Sequence, residues 1–242
     1  MIMGDNLGSH CIGGFVENFS SCSHVCRFCL ILLEQVRTVA SLNIYCERTL
    51  ENYSEACAIV KGNPELSHYQ GIKFDSVFNE LQHYHVCNPG LPPCLGHDLF
   101  EGVVQYDLAL FLNCLIKTKK WFSYTYLNQV IVKFKYKGHD ANYDKPSIVN
   151  ENGKTLGRHA VQNWCLLRLL PLLVSSKIQD SNDEVWAAIC LLREIVALVC
   201  APRISVAQVA YLRVKIDEYL ENRAGIFPET PLRPKHHSLT HY

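Results

Sequence analysis

No excess of charge of either sign is present: Lys+Arg and Asp+Glu number 23 each in 242 residues. The chain therefore lacks the basic surplus of an autonomous nucleic-acid binder, and any DNA contact would need a local patch or a further region. No opening segment joins a charged start to an apolar stretch and a small-residue cleavage site, so a secretory leader is not expected. Long apolar runs are scarce. The most apolar window, "VWAAICLLREIVALVC", carries Arg193 and Glu194 at its centre and is too short to cross a bilayer. No internal repeat or low-complexity tract is visible, and strand-like alternation is thin. These absences point to a soluble, mainly helical chain, nuclear or cytoplasmic rather than secreted, with no membrane partner. The sequons "NFS" at 18–20 and "NYS" at 52–54 point the other way, but such tripeptides are common by chance.

Cysteine is abundant, at 12 residues, and the chain is 48% hydrophobic. That length and apolar content can bury a core, most simply as one domain or a large piece of one. In a reducing compartment the thiols pair with metal more readily than with each other.

Helical periodicity dominates from residue 98 onward. "HDLFEGVVQYDLALFLNCLIK" puts Leu99, Val103, Tyr106 and Leu110 at three- and four-residue steps, which predicts one buried face. "TYLNQVIVKFKYKG" repeats the pattern with Leu127, Val130, Ile131 and Phe134, with Gly138 as a C-cap, although "VIVKFKYK" also alternates like a strand. After a polar loop over 138–156, three more helices are predicted near 157–175, 183–200 and 205–222. Pro171 is expected to kink the first. Asn182 or Asp183 should cap the second, with Pro202 beyond its end, and Ser205 should cap the third, with Gly225 beyond. Residues 61–97 are turn-rich. The opening "MIM" reads as the end of a strand, and both edges of the chain read as cuts through a larger domain.

Three short motifs hold metal-ligand residue types. Cys26-x-x-Cys29 offers two thiolates on a tight turn. Cys94-x-x-His97 sits in a Pro-rich turn before a helix. His237-x-x-x-His241 puts two imidazoles on one helical face if the segment is helical, and His236 is the register alternative. At this cysteine content chance alone supplies roughly 0.6 C-x-x-C pairs, so Cys26 and Cys29 also read as two ordinary buried thiols, Cys94 and His97 as a turn cysteine with a backbone-bonded histidine, and the closing histidines as a solvent-exposed cluster. A thioredoxin-type dithiol is disfavoured, because no strand–C-x-x-C–helix pattern is visible. Asp5, before "NLG", suits either a metal-binding carboxylate at a strand end or an Asx turn.

Taken together, "GDNLGSHCIGGFVENFSSCSHVCRFC", "GIKFDSVFNELQHYHVCNPGLPPCLGHDLFEGVVQYDL", the "FKYKGHDANYDKP" loop and the closing "LRPKHHSLTHY" resemble transposase-derived proteins of the CACTA/En-Spm type. Such proteins look like RNase H-fold DDE enzymes with a long helical insertion before the third catalytic acid, a plan shared by the V(D)J recombinase catalytic subunit. The resemblance implies that Asp5 is the second catalytic aspartate. It implies a structural zinc held by Cys26, Cys29, His237 and His241, with Cys94, His97 and His236 as alternative ligands. It divides the chain into a core remnant over 1–30, a helical insertion over 31–230 and a His-bearing return over 231–242. The first catalytic aspartate is then expected before Met1 and the glutamate after Tyr242, so Mg²⁺ would bind at Asp5 only with those acids supplied. One aspartate cannot hold two such ions, and the chain alone is not expected to cleave or join DNA. DNA is then an ancestral partner, bound weakly or not at all, and the rival expectation is a helical module for a protein partner or a second copy.

Overall fold

The computed structural model describes residues 4–19, 21–38, 46–88, 90–142, 144–151 and 153–242. The opening "MIM" lies outside them. Among the described residues the fold is helical, with no strand beyond isolated bridges such as Phe15 to Ile72. The chain forms two compact units, Met1–Cys94 with Glu229–Tyr242, and Leu95–Pro228. The packing thus divides the chain at 94/95 and 228/229, against the expected 30/31 and 230/231.

The first unit is built from short pieces: α1 (Asn6–Ile12), α2 (Leu33–Val36), α3 (Leu50–Gly62) and, after the long excursion, a terminal helix Pro234–Ser238. Thr49 caps α3 by accepting from Asn52 N–H, while Asn52 accepts from Thr49 N–H. A core of Phe15, Tyr53, Ala56, Ile72, Val86 and Leu91 closes beneath it. The Tyr53 hydroxyl, buried in that core, donates to Gly13 O at 3.0 Å and accepts from Ser76 N at 3.1 Å. Gly14 sits at φ +73, where an added Cβ would come 2.1 Å from Phe74 O, so glycine is required there.

The second unit starts with a helical run from Leu95 to Thr118 that is regular only in α4 (Gln105–Asn113). The flanking turns are wider, and Gly102 leaves helical geometry at φ −99, ψ −105. This break corrects the expected face. Leu99 and Val103 are buried, but Tyr106 and Leu110 are only half-buried, and Asp107, Leu108, Phe111 and Leu112 face inward instead. A 3.6-residue count begun at Leu99 cannot be carried across a residue that is not helical. The run is long and apolar enough to cross a membrane by length and composition, contrary to the expectation from the Arg193 window; two thirds of its most apolar window is buried inside the unit.

Four helices complete this unit: α5 (Tyr124–Lys133), α6 (Ala160–Val174), α7 (Glu184–Val199) and α8 (Val206–Ile226); the terminal helix Pro234–Ser238 of the first unit is α9. The strand alternative for "VIVKFKYK" fails, and so does Gly138 as the cap. Phe134 turns extended after α5, the Tyr136 hydroxyl donates to Ile131 O at 3.0 Å, and Gly138, at φ +60, opens a separate short turn. Pro171 lies within the last turn of α6. Asp183 caps α7, accepting from Val185 N and Trp186 N at 3.1 Å each. Ser205 and Gln208 form a reciprocal capping box at the start of α8, and Gly225 falls inside that helix rather than past its end. Ser205→Ala is expected to cost about 1 kcal/mol, read as a lower denaturant midpoint with an unchanged slope.

A charged group sits within this apolar packing. Asp107 of α4 accepts from Arg223 Nε at 3.0 Å and from the Tyr219 hydroxyl at 2.5 Å, with Asp107 1% and Arg223 2% exposed. Burial and the neighbouring carboxylate push the Tyr219 phenol well above its ordinary value.

Candidate metal centre

The Cys26–Cys29 turn is held by backbone pairing on both sides. Leu33 N donates to Ser23 O at 2.7 Å, Leu30 N to Cys46 O and Arg48 N to Phe28 O, each at 2.9 Å. Phe28 N also donates to Cys26 Sγ at 3.3 Å, so the turn folds its own amide onto the sulfur. Cys29 is fully buried and Cys26 half-buried.

The two histidines arrive from the other end of the chain. Pro234 opens α9, which gives way to a tighter turn at Leu239–His241, and His237 and His241 fall on one side as the spacing predicts. Leu232 and Leu239, 3% and 0% exposed, anchor the segment by apolar burial, and α9 packs on α2. His236 is also buried, but its Nδ1 accepts from Arg233 N at 2.9 Å and serves as the cap of α9.

All four donor atoms of Cys26, Cys29, His237 and His241 lie within 4.8 Å of one another. Cys29 Sγ is 3.1 Å from His237 Nε2, Cys26 Sγ is 3.4 Å from His241 Nε2, and the two Nε2 atoms are 3.0 Å apart. A tetrahedral ion with metal–sulfur bonds of ~2.3 Å and metal–nitrogen bonds of ~2.05 Å has edges of ~3.3–3.8 Å. The cluster therefore has the donor set and almost the dimensions of a four-coordinate metal site. The His237 and His241 rings stand perpendicular, at 88°, and Phe28 lies against the His241 ring at 4.7 Å. Burial pushes the Cys26 thiol up, but hydrogen bonds from Cys29, His237 and His241 outweigh it and hold the group well below its ordinary value. Cys29, hydrogen-bonded to Cys26 and buried, is raised.

The other expected ligands stand elsewhere. His97 pairs through Nδ1 with Glu101 at 3.0 Å, four residues along its own helix, and neither it nor Cys94 belongs to the cluster. Asp5 is exposed and caps α1, accepting from Gly8 N at 2.5 Å. Among the described residues no group of carboxylates converges on it. None of the 12 cysteines is in a disulfide.

Two arginines of the centre carried no motif. Arg27, inside the turn, donates to Asn6 Oδ1 at 2.6 Å, Pro92 O at 2.8 Å and Leu91 O at 3.3 Å. Arg48 reaches back to the turn from the facing segment. Their only trace in the sequence is a basic residue within and after a C-x-x-C.

What fold and site define is a mainly helical protein with a Cys₂His₂ cluster able to hold a metal ion. Compared with known proteins, the chain matches no family model, no curated protein and no solved structure.

Proposed function

We propose that this chain is a zinc-stapled helical region derived from a DDE transposase, not catalytically competent alone. The observation that carries the reading is the convergence of Cys26 and Cys29 with His237 and His241, although Cys29 and His237 are 208 positions apart. The resemblance implies that pairing, with Cys94, His97 and His236 as its alternatives. Borderline-soft Zn²⁺ suits two thiolates and two imidazoles, and four protein donors leave no open position, which suits a structural site rather than a catalytic one. Asp5 accepts from Gly8 N as the cap of α1; the reading gives this chain no phosphoryl transfer by itself because one aspartate cannot hold the two ions that step needs.

Metal analysis is expected to find one zinc per chain. Cys26→Ser and His237→Ala should each release it, whereas His97→Ala should leave it in place. Zinc-free protein as purified under reducing conditions, or a zinc content that survives Cys26→Ser, contradicts the assignment.

A second reading, a helical module for a protein partner, is favoured by apolar residues left in solvent. Val206 is 87% and Val214 61% exposed on α8, and a groove of about 770 Å³ lined by Trp164, Leu167, Cys190, Ala197 and Pro202 opens on the same unit. Binding to mixed-sequence duplex DNA that weakens steeply with added salt would favour the transposase reading. Salt-insensitive DNA binding would favour the module.

A further inference from the structure

Arg48 is 5% exposed, and among the described residues no carboxylate pairs with it. The charge-bearing groups nearest it are the thiols of Cys26, Cys87 and Cys29 and the Tyr53 phenol. Burying a guanidinium without a counter-charge is costly; its Nε and Nη1 find no hydrogen-bond partner among the described residues, so its polar contacts come from the remaining nitrogen alone. One nitrogen, Nη2, donates to Cys26 O at 3.1 Å, to Cys29 O at 3.4 Å and to Gln70 O at 3.0 Å. The first two carbonyls belong to the first and last residues of the C-x-x-C turn, so a single atom fixes the backbone of both sulfur-bearing residues. The same residue's N–H donates to Phe28 O, which closes the turn from its other side. The guanidinium is itself held from behind, 5.4 Å from the centre of the Phe15 ring in the core.

We infer that Arg48 is the positioning residue of the metal centre, clamping the Cys26–Cys29 turn in ligand geometry through the two cysteine carbonyls. The inference rests on the reading that the cluster binds zinc. Arg27 supplies the contrast. It is as deeply buried, at 4%, and its guanidinium donates to Asn6, Leu91 and Pro92. All three bonds leave one nitrogen with two hydrogens, so at least one is shared; a lysine at 48 keeps the charge and a donor group but on a different stem, and is expected to reach only some of the same carbonyls.

The test measures zinc affinity of the full chain by competition with a chromophoric chelator, together with the absorption of the Co²⁺-loaded protein. Arg48→Met is expected to bind zinc ~10–100-fold more weakly, the usual effect of losing a group that orients ligands. Its cobalt spectrum should lose tetrahedral intensity while far-UV circular dichroism at saturating metal stays at the wild-type level. Arg48→Lys should recover part of the affinity, and it carries the test if Arg48→Met does not fold. Wild-type affinity and spectrum in Arg48→Lys and Arg48→Met overturn the inference. So does an equal loss in Arg27→Met, because the effect would then belong to any buried arginine of this unit. Failure of the wild-type chain to take up zinc overturns instead the reading beneath it.

Discussion

Chelating the metal from zinc-loaded protein is expected to unfold the Cys26/His237 unit while leaving the helices of the other unit folded. Structural zinc is worth about 10–16 kcal/mol apparent in small peptides, as much as or more than the about 5–15 kcal/mol that holds a typical domain together. Apart from α3 the unit's helices are short, and beyond the cluster around Phe15 and Tyr53 the buried side chains of Val25, Ile31, Val36, Leu232 and Leu239 lie in or beside the segments that carry the four donors. Hydrogen exchange should show the amides of α3 losing protection on chelation and regaining it when zinc is returned. Amides of α6, α7 and α8 should stay protected throughout. Persistent protection of α3 without metal would mean that the four donors are not structural. Binding must also displace the thiol proton of Cys29, so protons compete with the metal and apparent affinity should fall as pH falls.

The second large effect belongs to Asp107. Asp107→Leu takes the carboxylate away from Arg223, a charge at 2% exposure, and removes the acceptor of the Tyr219 hydroxyl. Breaking a buried pair in this way costs about 3–5 kcal/mol, a fall of roughly 10–20 °C in melting temperature for a unit of this size. Removing the charges together should be far milder. The triple variant Asp107→Leu, Arg223→Met, Tyr219→Phe fills similar volume with apolar groups and is expected to recover most of the loss. If the triple variant melts as low as the single one, the cost lies in packing and not in the stranded charge.

The parts of this protein that could be read from its sequence are those governed by neighbours along the chain. Asp183 and Ser205 announce α7 and α8 because a cap acts within three residues. The spacing of His237 and His241 announces one helical face because i and i+4 are adjacent on any helix. What escaped is set by distant partners or by local backbone. Gly102 leaves helical geometry inside an otherwise regular pattern, and that shifts the buried face from Tyr106 and Leu110 to Asp107, Leu108 and Phe111. Arg223 and Asp107 meet across 116 positions, and no pattern in either segment names the other. Arg48 acts on peptide carbonyls, which every residue carries, so its targets leave no trace in residue type. His236 is the register alternative to His237 in the sequence; the hydrogen bond from Arg233 N–H takes Nδ1 of His236 for capping, and His237 faces the sulfurs.

The order in which a ribosome makes this chain bears on its metal centre. Cys29 leaves the exit tunnel 208 residues before His237, an interval of about 10–40 s at ~5–20 residues per second. During that time two thiols wait without their imidazoles, and every residue of the Leu95–Pro228 unit is made inside the gap. That unit can fold before the centre closes, whereas the unit built around the centre can only be completed afterwards. Assembly of the site therefore comes after the whole Leu95–Pro228 unit has been made, and the nascent dithiol is the form in which this protein first meets metal ions in the cell.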